Sequence, residues 1–156
     1  MRTKIVKNKR RLKKPVTKRI DTSDPVKAYD QVKLFFDKTR FLRNNAQGIA
    51  SNQVGLDYRI FTALIGGKWQ VFINPAYVQK SITWNVIAEG CLSINKKTAK
   101  IPRSNWVELK YSVLKSSIEG IKIDTLRKRF IGSDARVIQH EMDHLHGRLI
   151  TDYQQL

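Results

Sequence analysis

The chain has 156 residues, 41% hydrophobic and 9% aromatic, a balance that excludes a disordered polypeptide and leads us to expect one globular domain over residues 1–156. No apolar run approaches the length of a membrane span, the N-terminus lacks a secretory apolar stretch, and the one cysteine, Cys91, excludes an internal disulfide framework. The formal charge of +17 is uneven, with ten of the 30 basic residues in the first twenty positions and no acid there. Such an excess points to contact with nucleic acid or another polyanion, against the plainer reading of a solvated lysine-rich surface.

Residues 1–20 read as a basic, extended or irregular segment. A helix should follow, with Ser23 or Asp24 as N-cap and Pro25 in its first turn. Val26, Tyr29, Val32, Phe35 or Phe36, and Leu42 recur at helical spacing and predict its buried face. Two β-rich runs then flank Gly66–Gly67, a hairpin signal, and Asn74–Pro75 should end the second run. Further strands are predicted in "AYVQKSITWNVIA", "NWVELKYSVLK" and "IKIDTLRKRFI", with a turn near Glu119–Gly120. A second helix should start at Ser133 or Asp134 and stop at Gly147. Helix, strands, helix is the order of an α+β fold.

That last helix carries all three histidines, in "QHEMDHLHG". His140 and His144 are four apart and share a helical face, so they can hold one metal ion. Glu141 is offset from that face and can serve as general base. A catalytic ion needs a third protein ligand and an open position. Ile150 stands where a third downstream histidine would fall, no glutamate follows Glu141, and His146 lies on another face. The remaining strong candidate is upstream: the Cys91 thiolate.

Cys91 lies in "EGCLS", and "GIASNQVG" precedes it at residues 48–55. With the histidine segment, these resemble the three motifs of the peptide deformylase family, in the family's order and at similar spacing. "RRLKKPV", "FINP" and "IPR" extend the resemblance to nearly the full length. It implies an α+β fold in which antiparallel sheets pack around a central C-terminal helix bearing the histidines. It also implies hydrolysis of the N-formyl group from the initiator formyl-methionine of nascent polypeptides. Cys91, His140 and His144 would bind one divalent ion, Fe(II) by family preference, with Zn(II), Ni(II) or Co(II) able to substitute. Glu141 would act as general base toward a metal-bound water. The Gln53 side chain and the Leu92 N–H would stabilise the oxyanion. Gly48 and Gly90 would pair with the substrate backbone, Val137 would line the methionine pocket, and a Glu89–Arg103 ion pair would brace the second motif.

Asn74 is expected to shape a turn, and His146 to be surface. Ala46, Gln47, Asn52, Asn95, Thr98, Ser133 and Asp134 depart from common family residues without touching the expected ligands. The resemblance further implies a short form without the family's C-terminal helix, of a kind that some bacteriophages carry. A cytoplasmic monomer, in a bacterium or an infected host, with no membrane partner is expected, the basic N-terminal segment contacting the ribosome. Two other functions compete: a small peptidase using the same helix, and a basic nucleic-acid-binding module with a structural metal.

Overall fold

The computed structural model describes residues 3–153; the ends of the expected 1–156 domain, including Met1 and Arg2 of the basic segment, lie outside the described residues. Helix α2 spans Pro25–Thr39 and α3 Gly132–Leu145, with a single helical turn, α1, at Lys9–Leu12. The strands are β1 (Gly48–Ala50), β2 (Ile60–Ile65), β3 (Lys68–Lys80), β4 (Trp84–Cys91), β5 (Ile94–Ser104), β6 (Trp106–Ser117) and β7 (Gly120–Ile131). One sheet has the order β1-β2-β3-β6-β7 and a second pairs β4 with β5, every pairing of these strands being antiparallel. The α+β class with antiparallel sheets and a C-terminal helix is therefore present. No helix among the described residues is long and apolar enough to cross a membrane.

The larger sheet is covered on both faces, which is why its central strands are apolar on both sides. Phe61, Phe72, Tyr111 and Phe130 project toward α3 and pack with Ala135, Ile138 and Met142. Phe61 and Phe72 stack at 4.6 Å between centroids, and Phe130 meets Phe72 edge-on at 5.7 Å. The alternate residues Ile49, Ile60 and Ile73 face Ala28 and Phe35 of α2. A third cluster, with Leu12, Ile94, Ile101, Leu149 and Ile150, joins the N-terminal segment to the β4–β5 hairpin.

Several expectations need correction. In α2, Asp24 is the N-cap, Pro25 opens the helix, Phe35 is buried and Val32 packs on the core as expected, but the other buried positions are Ala28 and Thr39. Val26 and Tyr29 are 63% and 36% exposed. Ala28 and Thr39 are small, which lets the helix sit close to the sheet and gives its buried face little apolar signal in the sequence. Leu42 falls outside α2, in the 3-10 turn Leu42–Asn45. The basic segment is not wholly irregular, since Asn8 caps the turn of α1. Asn74–Pro75 does not end its strand: β3 continues to Lys80, with a register shift between Ile73 and Ala76. The run predicted through residues 76–88 is two strands, broken at Ser81–Thr83. Helix α3 begins at Gly132, with Ile131 at the N-cap position and no side-chain cap. Gly132, at φ 59°, lets the chain turn from β7 into α3 without a loop.

Asn74 sits at φ 49° and is buried. Its Oδ1 accepts from the Ile20 N–H at 2.8 Å, and its Nδ2 donates to the Ile20 carbonyl at 2.8 Å. One side chain thereby satisfies both backbone groups of a buried residue in the N-terminal segment. Replacing Asn74 by Ala should strand those groups and destabilise the fold by about 3 kcal/mol. Urea unfolding should show a lower midpoint with an unchanged slope; a wild-type midpoint would refute the role assigned to this pair of hydrogen bonds.

Candidate metal centre

Two elements bring three soft or borderline donors together. Cys91 ends β4, and His140 and His144 stand one turn apart on α3. Their ligating atoms all lie within 4.8 Å of one another. Cys91 Sγ is 3.4 Å from His144 Nε2, which is 3.2 Å from His140 Nε2. His140 Nδ1 lies 3.0 Å from Glu89 Oε2. A proton shared on that side leaves the Nε2 lone pair facing inward, the arrangement in which a carboxylate orients a metal-ligating imidazole.

The electrostatics favour a cation among these donors. Burial lowers the His140 pKa, but the Cys91 sulfur and Glu89 outweigh it and lift it to about 10. Burial, aided by the His140 charge, holds His144 well below the ordinary imidazole value. The group thus favours one positive charge among its donors: a proton on His140 where no ion is bound, which a divalent ion at Nε2 would displace. A thiolate with two imidazoles suits zinc or iron and leaves room for a further ligand, so the donor set fits a divalent ion.

A buried ion-pair network fixes the geometry behind the donors. Arg103, on β5, donates from Nε to Glu89 Oε1 at 3.0 Å and from Nη2 to Glu89 Oε2 at 2.8 Å. Its Nη1 reaches Asp143 Oδ2 at 2.5 Å and the Tyr153 hydroxyl at 3.0 Å. Arg136, on α3, binds Glu89 Oε1 at 2.6 Å and the Ile101 carbonyl at 3.1 Å. The network clamps the β4–β5 hairpin to α3, which sets the Cys91 strand against the histidine helix.

Glu141 follows His140 on α3 and lies against Gly48 of β1. It is buried, and its Oε2 has no hydrogen-bond partner. Burial raises its pKa to about 7, against the opposing pull of His140 and Arg103. A Cβ at Gly48 would overlap the Glu141 carboxylate, so only glycine fits at that point of β1. Gln53, in the 3-10 turn Ser51–Val54, accepts from the Ala50 N–H through Oε1 at 2.9 Å. That bond turns its amide nitrogen toward Ser93 Oγ at 3.2 Å and Cys91 Sγ at 3.6 Å. Asn52 donates to the His144 carbonyl at 2.8 Å, tying the same turn to α3.

The family model described as polypeptide deformylase matches residues 3–155. The chain belongs to the polypeptide deformylase family. A peptide deformylase of Pseudothermotoga lettingae is 37% identical over 105 residues, which are 67% of this chain and 57% of that protein. Peptide deformylase 1 of Clostridium perfringens is 37% identical over 117 residues, 71% of each chain. The crystal structure of the Thermotoga maritima peptide deformylase superposes with a TM-score of 0.80 at 26% identity, covering 100% of this chain and 99% of that one. The chain thus spans little more than half the length of the first of these relatives and nearly all of the solved deformylase.

Set beside the deformylase motifs, the remaining candidate residues are dispersed around this group. Leu92 lies in the turn between β4 and β5 and packs toward the α2 side of the sheet. Val137, one turn before His140, packs on the α3 core. Gly90 pairs with Thr98, and a Cβ there would meet open space, so nothing within the chain itself requires glycine at that point. His146 is exposed, at the C-terminus of α3. Sequence reasoning missed Asp143, Arg136, Tyr153 and Ser93. Asp143 and Arg136 were legible as helix neighbours of the histidines, three residues after and four before His140, but an ion pair across fifty residues leaves no local signal.

Glu89 provides a pH test. Burial raises its pKa, but the hydrogen bonds from His140 and Arg103 prevail and hold it at about 2, below the ordinary 4.5. A carboxylate depressed in the folded state stabilises it above the unfolded pKa, and loses that contribution as pH falls from 4.5 toward about 2. Urea midpoints should therefore fall more steeply through this window for the wild type than for Glu89→Gln. Parallel slopes would remove Glu89 from the acid response.

Proposed function

We propose that the chain removes the N-formyl group from formyl-methionyl peptides, releasing formate. The observation that carries this reading is the buried Glu141 carboxylate, unpartnered at Oε2 and with its pKa raised to about 7, beside the three converging donors. A group poised near neutrality in a site closed to bulk water is suited to accept a proton and return it.

In this reading Cys91, His140 and His144 hold one divalent ion, with Fe(II) as the physiological ion and Zn(II), Ni(II) or Co(II) as substitutes. Bound there, the ion would supply Lewis acidity to polarise the formyl carbonyl and make water nucleophilic at neutral pH. Glu141 Oε2 takes the proton from the attacking water and later delivers it to the leaving amine of methionine. Gln53 Nε2, oriented by the Ala50 N–H, donates to the formyl oxygen as it gains negative charge, together with the Leu92 N–H. Strand β1 is at the edge of its sheet, so Gly48 offers backbone groups to an extended peptide, and Gly90 of β4 pairs with the same peptide. Val137 contributes to the pocket for the methionine side chain. Glu89 and Arg103 act indirectly, by holding His140 and the Cys91 strand. The reading places the protein in a cytoplasm where translation starts with formyl-methionine, as a monomer whose residues 1–20 contact ribosomal RNA.

Formate release from formyl-Met-Ala-Ser by metal-loaded protein is the direct test, with unformylated Met-Ala-Ser as the peptidase control. Glu141→Ala should lower kcat by about 10²–10⁴-fold while retaining the metal, the range lost with a general acid–base. Gln53→Leu should lower it by about 10²–10³-fold, as for an oxyanion donor. Unchanged turnover in Glu141→Ala, or cleavage of the unformylated peptide, would overturn the proposal.

A further inference from the structure

A pocket of about 510 Å³ opens beside the metal centre, lined in part by Tyr77 and Lys80 of β3, Trp84 of β4, Arg148 and Tyr153. None of Cys91, His140, His144 and Glu141 lines it. Its cations lie against aromatic rings. Lys80 Nζ is 3.8 Å from the Tyr77 ring centre, and the Arg148 guanidinium is 3.7 Å from that of Tyr153. Neither cation has a carboxylate partner among the described residues. Asp143 is the one carboxylate in the wall, and Arg103 and the Tyr153 hydroxyl already hold it. Burial, together with Arg103 and Arg148, lowers the Lys80 pKa against the pull of Asp143, consistent with a surplus of positive charge. Trp84 is 59% exposed at the rim, a large flat apolar surface left open to solvent.

Two uncompensated cations call for an anionic group, and an exposed indole beside them calls for a planar ring. An acidic peptide would answer the first demand and leave the second unmet. A nucleotide answers both, and the volume is of the size that holds one. We propose that this pocket binds a nucleotide, its phosphate against Lys80 and Arg148 and its base stacked on Trp84. The nucleotide is either free or one unit of single-stranded RNA, and the net charge of +17 favours approach of either. The inference goes beyond the deformylation reading and does not rest on it.

The test uses the metal-loaded full chain and the anisotropy of a labelled oligo(A) octamer over a range of salt, with AMP, unlabelled oligo(A), inorganic phosphate and poly-Glu as competitors. Trp84→Ala should weaken octamer binding about tenfold with little change in salt dependence, as loss of one stacked base does. Lys80→Gln and Arg148→Gln should each weaken binding and lower the salt slope by about one. A variant with Arg10, Arg11, Lys13 and Lys14 all changed to Gln should keep the part of the affinity that Trp84→Ala removes. The thermal midpoint and the bound metal content should match wild type in the three pocket variants. Competition by AMP at concentrations matching the octamer assigns a free nucleotide, and competition only by longer RNA assigns a strand; both support the site. Wild-type binding by all three pocket variants would overturn it, as would displacement of the octamer by phosphate or poly-Glu as effective as that by unlabelled oligo(A).

Discussion

Arg103 holds two carboxylates that belong to different parts of the chain, and the geometry of the candidate centre follows from that grip. On one side it meets Glu89, two residues before Cys91; on the other it meets Asp143, the residue before His144. Arg103 is 3% exposed, so this is a buried ion-pair network rather than a surface pair. Its net stabilisation relative to an apolar substitute is small, because desolvating the charges offsets their attraction. Breaking it is costly, because a buried charge is left alone. Such an interaction acts chiefly on geometry, here fixing which face of α3 meets the end of β4.

Around that grip the chain accepts local disadvantages. Glu141 has a buried oxygen with no partner, and Gly48 gives up a side chain so that the carboxylate can lie against β1. His144 Nδ1 and Asn52 Oδ1 are likewise buried and unpartnered. Unsatisfied groups of this kind are rare in ordinary cores, and each costs roughly 1–3 kcal/mol. Of the four buried side-chain atoms without a partner among the described residues, three belong to Glu141, His144 and Asn52, on α3 and the 51–54 turn, and the fourth to Gln31 on α2, so most of this cost falls at the candidate centre. The stacked rings of Phe61, Phe72, Tyr111 and Phe130 supply a rigid floor beneath α3.

The parts of the fold that depend on neighbours in sequence were legible. The Gly66–Gly67 and Glu119–Gly120 turns, the Asp24–Pro25 helix start and the shared face of His140 and His144 follow from residues a few positions apart. The parts that depend on distant contacts were not. Asn74 looked like a strand terminator because it precedes Pro75, whereas its side chain is committed to Ile20, across 54 positions. The exposed side of α2 was misjudged because Ala28 and Thr39, buried against the sheet, carry little apolar signal. Cys91 could be reached by eliminating other ligands, but the guanidinium groups of Arg103 and Arg136 that hold its strand could not.

The distance along the chain between Cys91 and the histidines has one more consequence. A lone cysteine cannot form an internal disulfide, yet an ion gripped by Cys91 and His140 joins two points about fifty residues apart. In the unfolded chain, a permanent tie across a loop of that length removes conformational entropy worth about 4 kcal/mol. A metal tie differs in being reversible, so its contribution grows with the concentration of free ion. An ion held there would also be a cross-link, and would make the resistance of the protein to unfolding a function of the metal content of its surroundings.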